Sequence, residues 1–440
     1  MLDIKFIREN VDAIKKAAKD KQLSVDIDKL LEIDKNRIEL LQQVEDLNRQ
    51  RNELNTLVKS ESFPPARDEL IEKGKLIKEK AVDVEARFKE VSAEYDALMV
   101  QVPTVTSEDT PIGTSDKDNV VSNQWGEKPQ FTFKPKDHIE LGKALDILDL
   151  ERGAKVAGYR GYYLKNEGAR LVMAMMMYAI SKMVAKGYTF MIPPTLIKQF
   201  PLFGSGYFKG LDYDPESDEI YKVATNDKEA DGNYAGDSKF LVGTAEPSLL
   251  AYYSGETLKE EDLPLKLCGY SQCYRSEIGS YGKDTKGMYR VHEFMKVEQV
   301  ILAPADLELA NKLQLEMIDI SKEIHEELGI PYQQIAISTG DLSAGKYKMF
   351  DIEAWLPGLD RYGETGSASN FLDWQSRRLE VKYKTKDGEI KYVYMLNNTA
   401  LPSPRIFIAI LENFQQEDGS IKIPEVLIPY TGFDVIAAKN

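Results

Sequence analysis

Cysteine and histidine are scarce in this sequence of 440 residues, which contains two cysteines and three histidines. Two cysteines cannot build the disulfide framework that holds many small secreted proteins together. Cys268 and Cys273, with the histidines scattered along the chain, also cannot form a Cys/His zinc site. A bound metal ion would therefore need oxygen ligands.

Long apolar runs are missing as well. No stretch approaches the roughly 20 uncharged apolar residues that a membrane-spanning helix needs. The first five residues lack the basic and then apolar arrangement of a secretory signal. The sequence therefore predicts a protein without a membrane segment and with a cytoplasmic location. With 42% hydrophobic and 29% charged residues, the chain is long enough for two or three hydrophobic cores.

Positive charge is in the minority, because 57 Lys and Arg residues stand against 72 Asp and Glu residues and give a net charge of −15. An acidic surface repels a phosphate backbone, so this balance argues against binding to nucleic acid. A net charge is an average over the whole surface, however, and a local cationic patch is compatible with it.

Two stretches near the N-terminus repeat apolar residues at steps of three and four, which is the heptad pattern of a coiled coil. The first covers residues 28–58 and the second residues 70–98, and the adjacent Pro64 and Pro65 between them cannot continue a helix. The pattern predicts an antiparallel helical hairpin. Each arm of about 30 residues would be about 45 Å long, so we expect the hairpin to project from the protein.

The purpose of such a hairpin is open on this pattern alone, because a dimerisation arm has the same heptads. Arg37 and Arg51 occupy positions of the apolar seam. Arginine at a seam lowers the stability of the hairpin unless its charged end reaches water, phosphate or a carboxylate. These two residues are therefore candidates for contact with a partner.

The composition changes after the hairpin. Residues 103–135 are rich in Thr, Ser, Asp, Gly and Asn, which predicts a linker. Beyond it, helical periodicity around residues 168–186 is followed by short β-rich runs, which are residues 265–274, 295–302, 379–383 and 391–396. Glycine-rich nucleotide loops of the Rossmann or P-loop kind are missing. The order of elements favours an α+β fold with an antiparallel sheet flanked by helices.

The segment of residues 273–298 carries the strongest chemical signal. Two strand-like ends enclose a loop rich in glycine and cations. Arg275 at a strand end can hold a phosphate through its planar guanidinium group, and Glu277 projects from the same face and can accept a hydrogen bond from an amine. Phe294 can stack on a purine ring. An Arg-x-Glu triplet alone is usually a solvated surface hairpin, so the interpretation depends on further motifs.

Further motifs are present on both sides of this segment. Residues 187–194 end in two prolines, residues 243–247 read Gly-Thr-Ala-Glu-Pro, and residues 364–371 form a Glu-, Ser- and Gly-containing run. Near the C-terminus Arg405 leads directly into an apolar helix over residues 406–414. An arginine at the start of a helix points into the site that the helix end faces.

In this order the motifs resemble those of the seryl-tRNA synthetases, which are class II aminoacyl-tRNA synthetases with an N-terminal coiled-coil arm. Pro194 is similar to the proline of the first class II motif, residues 275–298 to the second, and Arg405 with its helix to the third. The resemblance covers nearly the whole chain. It implies a tRNA-binding arm over residues 1–104, a linker over 105–135 and a class II catalytic domain over 136–440.

The resemblance also implies the roles of individual residues. Arg275 and Arg405 would be the catalytic residues. The residues implied in ATP binding are Arg275, Ser276, Glu277, Val291, His292, Glu293, Phe294, Glu364, Thr365, Gly366, Ser367 and Arg405. Those implied in serine binding are Thr244, Ala245, Glu246, Arg275, Glu298 and Thr399. Glu364 and Ser367 would hold Mg²⁺. For tRNA, the expectation is a narrow cationic stripe made of Arg37, Arg49, Arg51, Lys73, Lys75, Lys78 and Lys80.

Three departures from the family pattern concern the same regions. The stretch before Arg405 contains prolines where many bacterial members have glycines, so the contact of Thr399 with serine is less secure. Residues 364–369 keep the Glu and Ser of the family but change the residues between them. Residues 226–238 look like an acidic insertion.

The expected function is ATP-dependent activation of L-serine to seryl-adenylate and transfer of serine to tRNA by a homodimer. Family members also charge a selenocysteine tRNA where one exists. Two alternatives remain open at this point. The first is an enzyme that loads an activated amino acid onto a carrier protein, although such relatives lack the long arm. The second is a coiled-coil interaction protein with an inactive synthetase domain, although Arg275, Glu277, Glu364 and Arg405 are intact.

Overall fold

The chain divides into two compact units. A computed structural model describes residues 1–60, 64–224, 228, 238–278 and 286–438. One unit comprises Leu2–Lys19 and Leu23–Val102, and the other comprises Met1, Asp20–Gln22 and Pro103–Asn440. The change from one unit to the other after Val102 coincides with Pro103, the residue at which the composition changes.

The described residues form helices of very different lengths. The α-helices are α1 (Ile4–Glu9), α2 (Val11–Asp20), α3 (Ile27–Ser60), α4 (Pro64–Met99), α5 (His138–Ala144), α6 (Leu150–Ala157), α7 (Asn166–Ala185), α8 (Gln199–Ser205), α9 (Glu246–Leu250), α10 (Leu307–Glu327), α11 (Trp374–Leu379), α12 (Ser403–Asn413) and α13 (Ile428–Thr431). Short 3₁₀ turns cover Asp116–Asp118, Ala251–Tyr253, Glu260–Asp262, Thr339–Asp341 and Glu425–Leu427.

The strands are β1 (Val120–Trp125), β2 (Leu148–Asp149), β3 (Tyr163–Leu164), β4 (Thr189–Met191), β5 (Leu196–Ile197), β6 (Tyr221–Val223), β7 (Lys239–Leu241), β8 (Thr257–Lys259), β9 (Leu265–Tyr274), β10 (Glu293–Ala303), β11 (Tyr332–Ala336), β12 (Lys348–Leu356), β13 (Arg361–Asn370), β14 (Lys382–Lys384), β15 (Ile390–Tyr392), β16 (Tyr394–Pro402), β17 (Ile421–Lys422) and β18 (Val435–Ile436). Most strands are short, but β9, β10, β12, β13 and β16 are long.

Helices α3 and α4 pack on each other and form the predicted hairpin. The seam is buried in the half that contains Leu30 and Leu40 on α3 and Ala81 and Val84 on α4. The prediction that the two prolines lie between the helices was wrong, because α4 begins at Pro64. The first turn of a helix tolerates proline, since its N–H groups have no partner within the helix. Residues 61–63 of the expected turn lie outside the described residues.

The predicted antiparallel sheet forms the centre of the other unit. In the described part of the chain its strand order is β1-β11-β12-β13-β16-β10-β9-β4, and only the last pair, β9 with β4, is parallel. Helices α7 and α12 pack against β10, while α10 packs against β16 and β13. Buried Leu, Ile, Met and Phe side chains of α7, α12 and the long strands form the main core. The α+β prediction is confirmed.

Some boundaries differ from the predictions. The segment predicted as a linker over residues 105–135 is part of the larger unit, and it contains edge strand β1, which pairs with β11. All side chains of β1 are exposed, so the strand carries no burial pattern in the sequence. The segment of residues 379–383 was predicted as a β-rich run. Leu379 is instead the last residue of α11, and only Lys382 and Tyr383 of this segment belong to β14. Most of the predicted acidic insertion, residues 226–238, lies outside the described residues.

Helix α7 is an exception to the expected lack of long apolar segments. It is long and apolar enough to cross a membrane by length and composition, and half of the relevant window is buried in the protein. Leu171, Met175, Ala179 and Met183 recur at steps of four and belong to the main core. Helix α7 is therefore apolar because one of its faces packs in the core of the protein.

Candidate active site

Four neighbouring strands, β13, β16, β10 and β9, bring the predicted site residues together in one cleft. Phe294, Lys296 and Glu298 lie on one face of β10, because alternate residues of a strand share a face. Arg275 follows directly after β9, which pairs with β10. The cleft is lined by Arg275, Glu277, Tyr289, Arg290, Val291, Phe294, Lys296, Glu364, Thr365, Gly366, Thr399, Pro402, Pro404 and Arg405.

Arg275 is fixed at one end of the cleft. Its Nε donates a hydrogen bond to the carbonyl oxygen of Gly243 at 3.3 Å, and its guanidinium carbon lies 5.5 Å from the ring centre of Phe294. The backbone N–H of Arg275 donates to the carbonyl of His292 at 2.9 Å, which extends the pairing of the two strands. A cation beside an aromatic wall can hold a phosphate next to a stacked ring.

Arg405 lines the same cleft from the first turn of α12. Its Nη1 donates to the carbonyl oxygen of Glu364 at 2.7 Å and lies 3.2 Å from the Glu364 carboxylate. Its Nε donates to the carbonyl of Tyr289 at 3.3 Å, and the Tyr289 ring centre is 4.5 Å from the guanidinium carbon. Although desolvation acts in the opposite direction, Arg405 and Arg275 lower the pKa of the Glu364 carboxyl group.

A β-bulge places Glu364 and Ser367 on one face of the sheet. Glu364 pairs with Glu353, and Ser367 pairs with Asp351, so Thr365 is an additional residue on β13. Without that residue, side chains three positions apart would point to opposite faces. The bulge therefore makes the pair available as neighbouring oxygen ligands.

The oxygen groups at this place fit a magnesium ion. Glu364 is 47% exposed, and Oδ1 of the neighbouring Asp351 is buried without a hydrogen-bond partner among the described residues. Within the part of the chain that the structure describes, no three His, Cys, Asp or Glu side chains are grouped so that they could hold an ion by themselves. Mg²⁺ commonly uses one or two carboxylates and completes its coordination with substrate phosphates and water.

Glu277 is held by two cations. Its Oε2 lies 2.6 Å from Nη1 of Arg290 and 3.7 Å from Nη1 of Arg160, and its side chain is 5% exposed. Glu277 has a φ of 56°, a left-handed conformation that non-glycine residues seldom adopt. Backbone strain of this kind persists where surrounding contacts determine it.

A second group of polar residues lies around Glu246, at the start of α9. Oε1 of Glu246 accepts hydrogen bonds from Gln375 at 2.8 Å and from Asn397 at 2.9 Å, and Oε2 accepts one from the hydroxyl of Tyr207 at 3.2 Å. Burial, and next the neighbouring Glu298 carboxylate, raise the pKa of Glu246 to about 7. All three donors are neutral, and among the described residues no cation forms an ion pair with this carboxylate.

Glu298 connects this group to the centre of the cleft. It forms an ion pair with Lys296 and accepts hydrogen bonds from the hydroxyls of Thr244 at 3.2 Å and Thr399 at 3.4 Å. Nζ of Lys296 also lies 3.2 Å from the hydroxyl of Thr399. Thr244, Glu298, Thr399 and Lys296 therefore form one connected polar network, and the backbone N–H of Glu246 joins it by donating to the Thr244 hydroxyl at 3.4 Å. The buried Ala245 links Thr244 to Glu246 along the chain, while Arg275, also predicted to bind serine, contacts Gly243.

The side chains of Glu293, His292 and Thr365, which were predicted to bind ATP, make contacts within the protein. The Glu293 carboxylate is exposed and accepts from Gln272 at 2.8 Å. Nδ1 of His292 lies 2.9 Å from the carbonyl of Arg275. The Thr365 hydroxyl lies 2.8 Å from Nε2 of His325 and donates to a backbone carbonyl at 3.1 Å. Ser276 has a buried hydroxyl without a hydrogen-bond partner in the described ranges.

The sequence predictions did not include four residues of the serine-side network, namely Lys296, Tyr207, Gln375 and Asn397. Lys296 carried a signal, since it alternates with Phe294 on β10. Tyr207 follows α8, Gln375 lies on α11 and Asn397 lies on β16, and only the tertiary fold brings these elements together.

The residues predicted to contact tRNA lie on α3 and α4. Arg37 is half-buried, stacks 4.3 Å from the ring centre of Tyr95 and contacts Asp34 at 3.2 Å, so its guanidinium is engaged within the hairpin. Arg49 and Lys75 form exposed ion pairs with acidic residues three positions away. The remaining members of the stripe are exposed, namely Arg51, Lys73, Lys78 and Lys80.

Comparison with protein families gives two matches, one for each unit. The family described as "Seryl-tRNA synthetase N-terminal domain" matches residues 1–106. The family described as "tRNA synthetase class II core domain (G, H, P, S and T)" matches residues 221–414.

Individual relatives are similar over the full length. The serine–tRNA ligase of Borrelia garinii subsp. bavariensis is 41% identical and that of Treponema denticola is 40% identical, with 99% or more of each chain covered. The crystal structure of seryl-tRNA synthetase from Pyrococcus horikoshii in complex with ATP has a TM-score of 0.86 and 33% identity, and each chain is fully covered.

Proposed function

This chain belongs to the seryl-tRNA synthetase family, and we propose that the cleft lined by Arg275 and Arg405 is the place where serine reacts with ATP to form seryl-adenylate. The enzyme is a serine–tRNA ligase: it activates serine with ATP and charges tRNA. The observation that supports this location of the active site is that these two guanidinium groups line one cleft. The hydrogen-bonded group around Glu246 is close to the same residues.

Activation needs no nucleophile from the protein. The serine carboxylate attacks the α-phosphorus of ATP, a new P–O bond forms, and the bond to the β-phosphate oxygen breaks as pyrophosphate leaves. Arg275 would bind the α-phosphate, and Arg405 would stabilise the charge on the leaving pyrophosphate. Fixed cations in a cleft accelerate such a step because charge increases on the phosphate oxygens. A terminal hydroxyl of tRNA then attacks the carbonyl carbon of the adenylate and releases AMP.

Other side chains would position the two substrates. Phe294 would stack on the adenine ring, and Glu277 would accept a hydrogen bond from the adenine amino group. Glu246 and Glu298 would bind the ammonium and hydroxyl groups of serine, with Thr244 and Thr399 at their side. An amino acid without the hydroxyl leaves these buried groups without a partner, which costs more than the absence of a methyl contact.

Glu364 and Ser367 would hold Mg²⁺, supported by the oxygen groups described above. When bound, the ion supplies positive charge to the ATP phosphates. The contact of Arg405 with Glu364 keeps this carboxylate oriented towards the cleft.

Pyrophosphate exchange tests this assignment, because it measures adenylate formation without tRNA. Arg405→Ala should lower kcat of serine-dependent exchange by about a hundredfold or more, as happens when a group that stabilises the transition state is removed. Arg361→Ala is a matched control, since this exposed arginine also contacts Tyr289 but is absent from the cleft lining. Equal activity of Arg405→Ala and the control would refute the assignment.

We also propose that the hairpin α3–α4 binds tRNA and that the enzyme is a homodimer in the cytoplasm. For the dimer, the support is a set of exposed apolar side chains on and after α7, namely Met173, Met177, Val184 and Ile192. Ile192 is 76% exposed, which is unusual for isoleucine. Sedimentation of Ile192→Glu should show monomers at concentrations where the unchanged chain is dimeric, and a monomeric unchanged chain would contradict the proposal.

The two alternatives considered from the sequence have less support. An enzyme that loads a carrier protein lacks a tRNA-binding arm, whereas residues 1–106 match the seryl-tRNA synthetase N-terminal domain. An inactive interaction protein has no need for paired arginines in a cleft. Serine-dependent exchange without charging of tRNA by the full chain would favour the carrier-loading enzyme.

A further inference from the structure

Arg160 is a buried arginine that the sequence motifs did not connect with the site. It lies between α6 and β3, outside the set of residues that line the cleft. Its side chain is only 5% exposed, and its Nη1 lies 3.7 Å from Oε2 of Glu277. Arg290 contacts the same oxygen at 2.6 Å. Two guanidinium groups from different parts of the chain therefore approach one carboxylate oxygen.

The loop that carries Arg160 is fixed by close backbone contact with α6. A Cβ atom at Gly153 would lie 2.3 Å from Cα of Tyr162, and a Cβ atom at Gly161 would lie 2.6 Å from the carbonyl oxygen of Gly153. Only glycine permits backbones to approach so closely. Arg160 itself has a φ of 66°, a conformation that non-glycine residues seldom adopt.

The same loop is attached to β10 on its other side. The hydroxyl of Tyr162 donates a hydrogen bond to the carbonyl of Glu293 at 3.0 Å. Glu293 precedes Phe294, which is the predicted stacking partner of adenine. The loop therefore holds its position relative to both α6 and the strand that forms the wall of the cleft.

We propose that Arg160 is a positioning residue for adenine recognition. It holds the Glu277 carboxylate in the orientation in which that group accepts a hydrogen bond from the 6-amino group of the base. Arg290 belongs to the β9–β10 hairpin that also carries Glu277, and loss of the Arg160 contact would let the Glu277 carboxylate rotate. A second planar guanidinium group on a separate loop restricts this rotation. The inference rests on the proposed role of Glu277.

The test compares two nucleotides in pyrophosphate exchange by the full chain. Purine riboside 5′-triphosphate has a hydrogen atom where ATP has the amino group. Arg160→Met should raise KM for ATP about tenfold with little change in kcat, whereas KM for purine riboside triphosphate should change less than twofold. If both KM values rise equally, Arg160 has only a structural role and the inference is overturned. Unchanged KM values would overturn it too.

Two further variants complete the test. Arg152→Met is the matched control, because Arg152 on α6 is 78% exposed on its side chain and pairs with Asp149. It should leave both KM values unchanged. If Arg160→Met does not fold, Arg160→Lys serves instead, since lysine keeps the charge without the planar fork and should reduce the preference for ATP in the same direction.

The variant Glu277→Gln distinguishes the proposed role of Glu277 in adenine binding from the inferred positioning role of Arg160. If this variant keeps the full preference for ATP over purine riboside triphosphate, the proposed role of Glu277 is wrong, whatever Arg160 does. If it removes the preference while Arg160→Met retains it, only the inference about Arg160 is wrong. In the double variant, Arg160→Met should add no further decrease in preference to that of Glu277→Gln.

Discussion

Glu246, the proposed partner of the serine ammonium group, is a buried carboxylate whose hydrogen-bond donors are all neutral. These donors are Gln375, Asn397 and Tyr207. Burial followed by repulsion from Glu298 raises the pKa of Glu246 to about 7. A substrate ammonium group would supply the missing positive charge, so binding and ionisation of this residue should be coupled.

The first prediction is that KM for serine depends on pH through Glu246. The raised pKa means that the carboxyl group is protonated below about pH 7 and ionised above it. Only the ionised form attracts an ammonium group strongly. KM for serine should therefore rise up to about tenfold for each pH unit below about 7 and level off above about 8. Exchange assays from about pH 5.5 to about pH 8.5 at saturating ATP measure this.

Glu246→Gln is the matched control for that measurement. A glutamine can keep the hydrogen bonds, because its oxygen accepts from Gln375 and Asn397 while its amide donates to Tyr207. The variant should have a high KM for serine that no longer changes across the neutral pH range. A pH profile identical to that of the unchanged chain would show that another group titrates.

Individual site residues were predictable to very different degrees. Phe294 was a candidate because an aromatic ring can stack on a purine, and Glu298 because the resemblance implied it. Period-two alternation on β10 would also have found Lys296 between them. Thr365 was predicted at the site, but its hydroxyl contacts His325 because it is the additional residue of a bulge. A bulge depends on pairing with β12, which no local pattern in β13 reveals. Tyr207 could not be predicted, since α8 meets α9 only in the folded chain.

At the scale of elements, the long helices were the easiest to predict and the exposed strands the hardest. Heptads over many turns predicted α3 and α4, and only the place of Pro64 and Pro65 was wrong. Strand β1 was missed because it is exposed along its whole length. Burial creates the patterns that a sequence shows, so an edge strand held mainly by backbone hydrogen bonds leaves little trace.

The second prediction concerns two glycines within helices, for which Ala should have opposite effects. A Cβ atom at Gly74 in α4 would have no neighbouring atom within 4 Å, so Gly74→Ala should stabilise by about 0.5–1 kcal/mol through helix propensity. Gly153→Ala in α6 should destabilise by about 1–3 kcal/mol, because its Cβ would overlap the backbone of Tyr162. Hydrogen exchange of the two helices measures both effects. Slower exchange in α6 of Gly153→Ala would contradict the close contact.

At the scale of the whole molecule, the net charge of −15 proved a poor guide to the substrate. The family charges tRNA, yet the hairpin predicted to bind it is not basic overall, with 13 Lys and Arg against 17 Asp and Glu in residues 28–100. Arg37 is engaged with Tyr95 and Asp34, which leaves the exposed cations of α3 and α4 as the proposed contacts.

The third prediction is therefore a selective effect of hairpin lysines on tRNA charging. The double variant Lys78→Gln and Lys80→Gln should raise KM for tRNA. It should also lower the slope of log KM against the logarithm of the salt concentration by about one for each phosphate that is no longer bound. Serine-dependent exchange should not change. Lys259→Gln with Lys391→Gln, on exposed strands of the larger unit, is the control. Equal charging by both double variants would refute the role of these lysines.

The scarcity of cysteine has a practical consequence once the structure is known. Both thiols, Cys268 and Cys273, are buried on β9, and burial raises the pKa of Cys268 to about 12 and that of Cys273 above its usual value. Thiolates are the form that reacts with maleimides, so neither side chain should be labelled in the folded protein. One cysteine introduced at an exposed position of α4 would then be the sole reactive thiol. If tRNA binds the hairpin as proposed, a fluorophore attached there would report its arrival in real time.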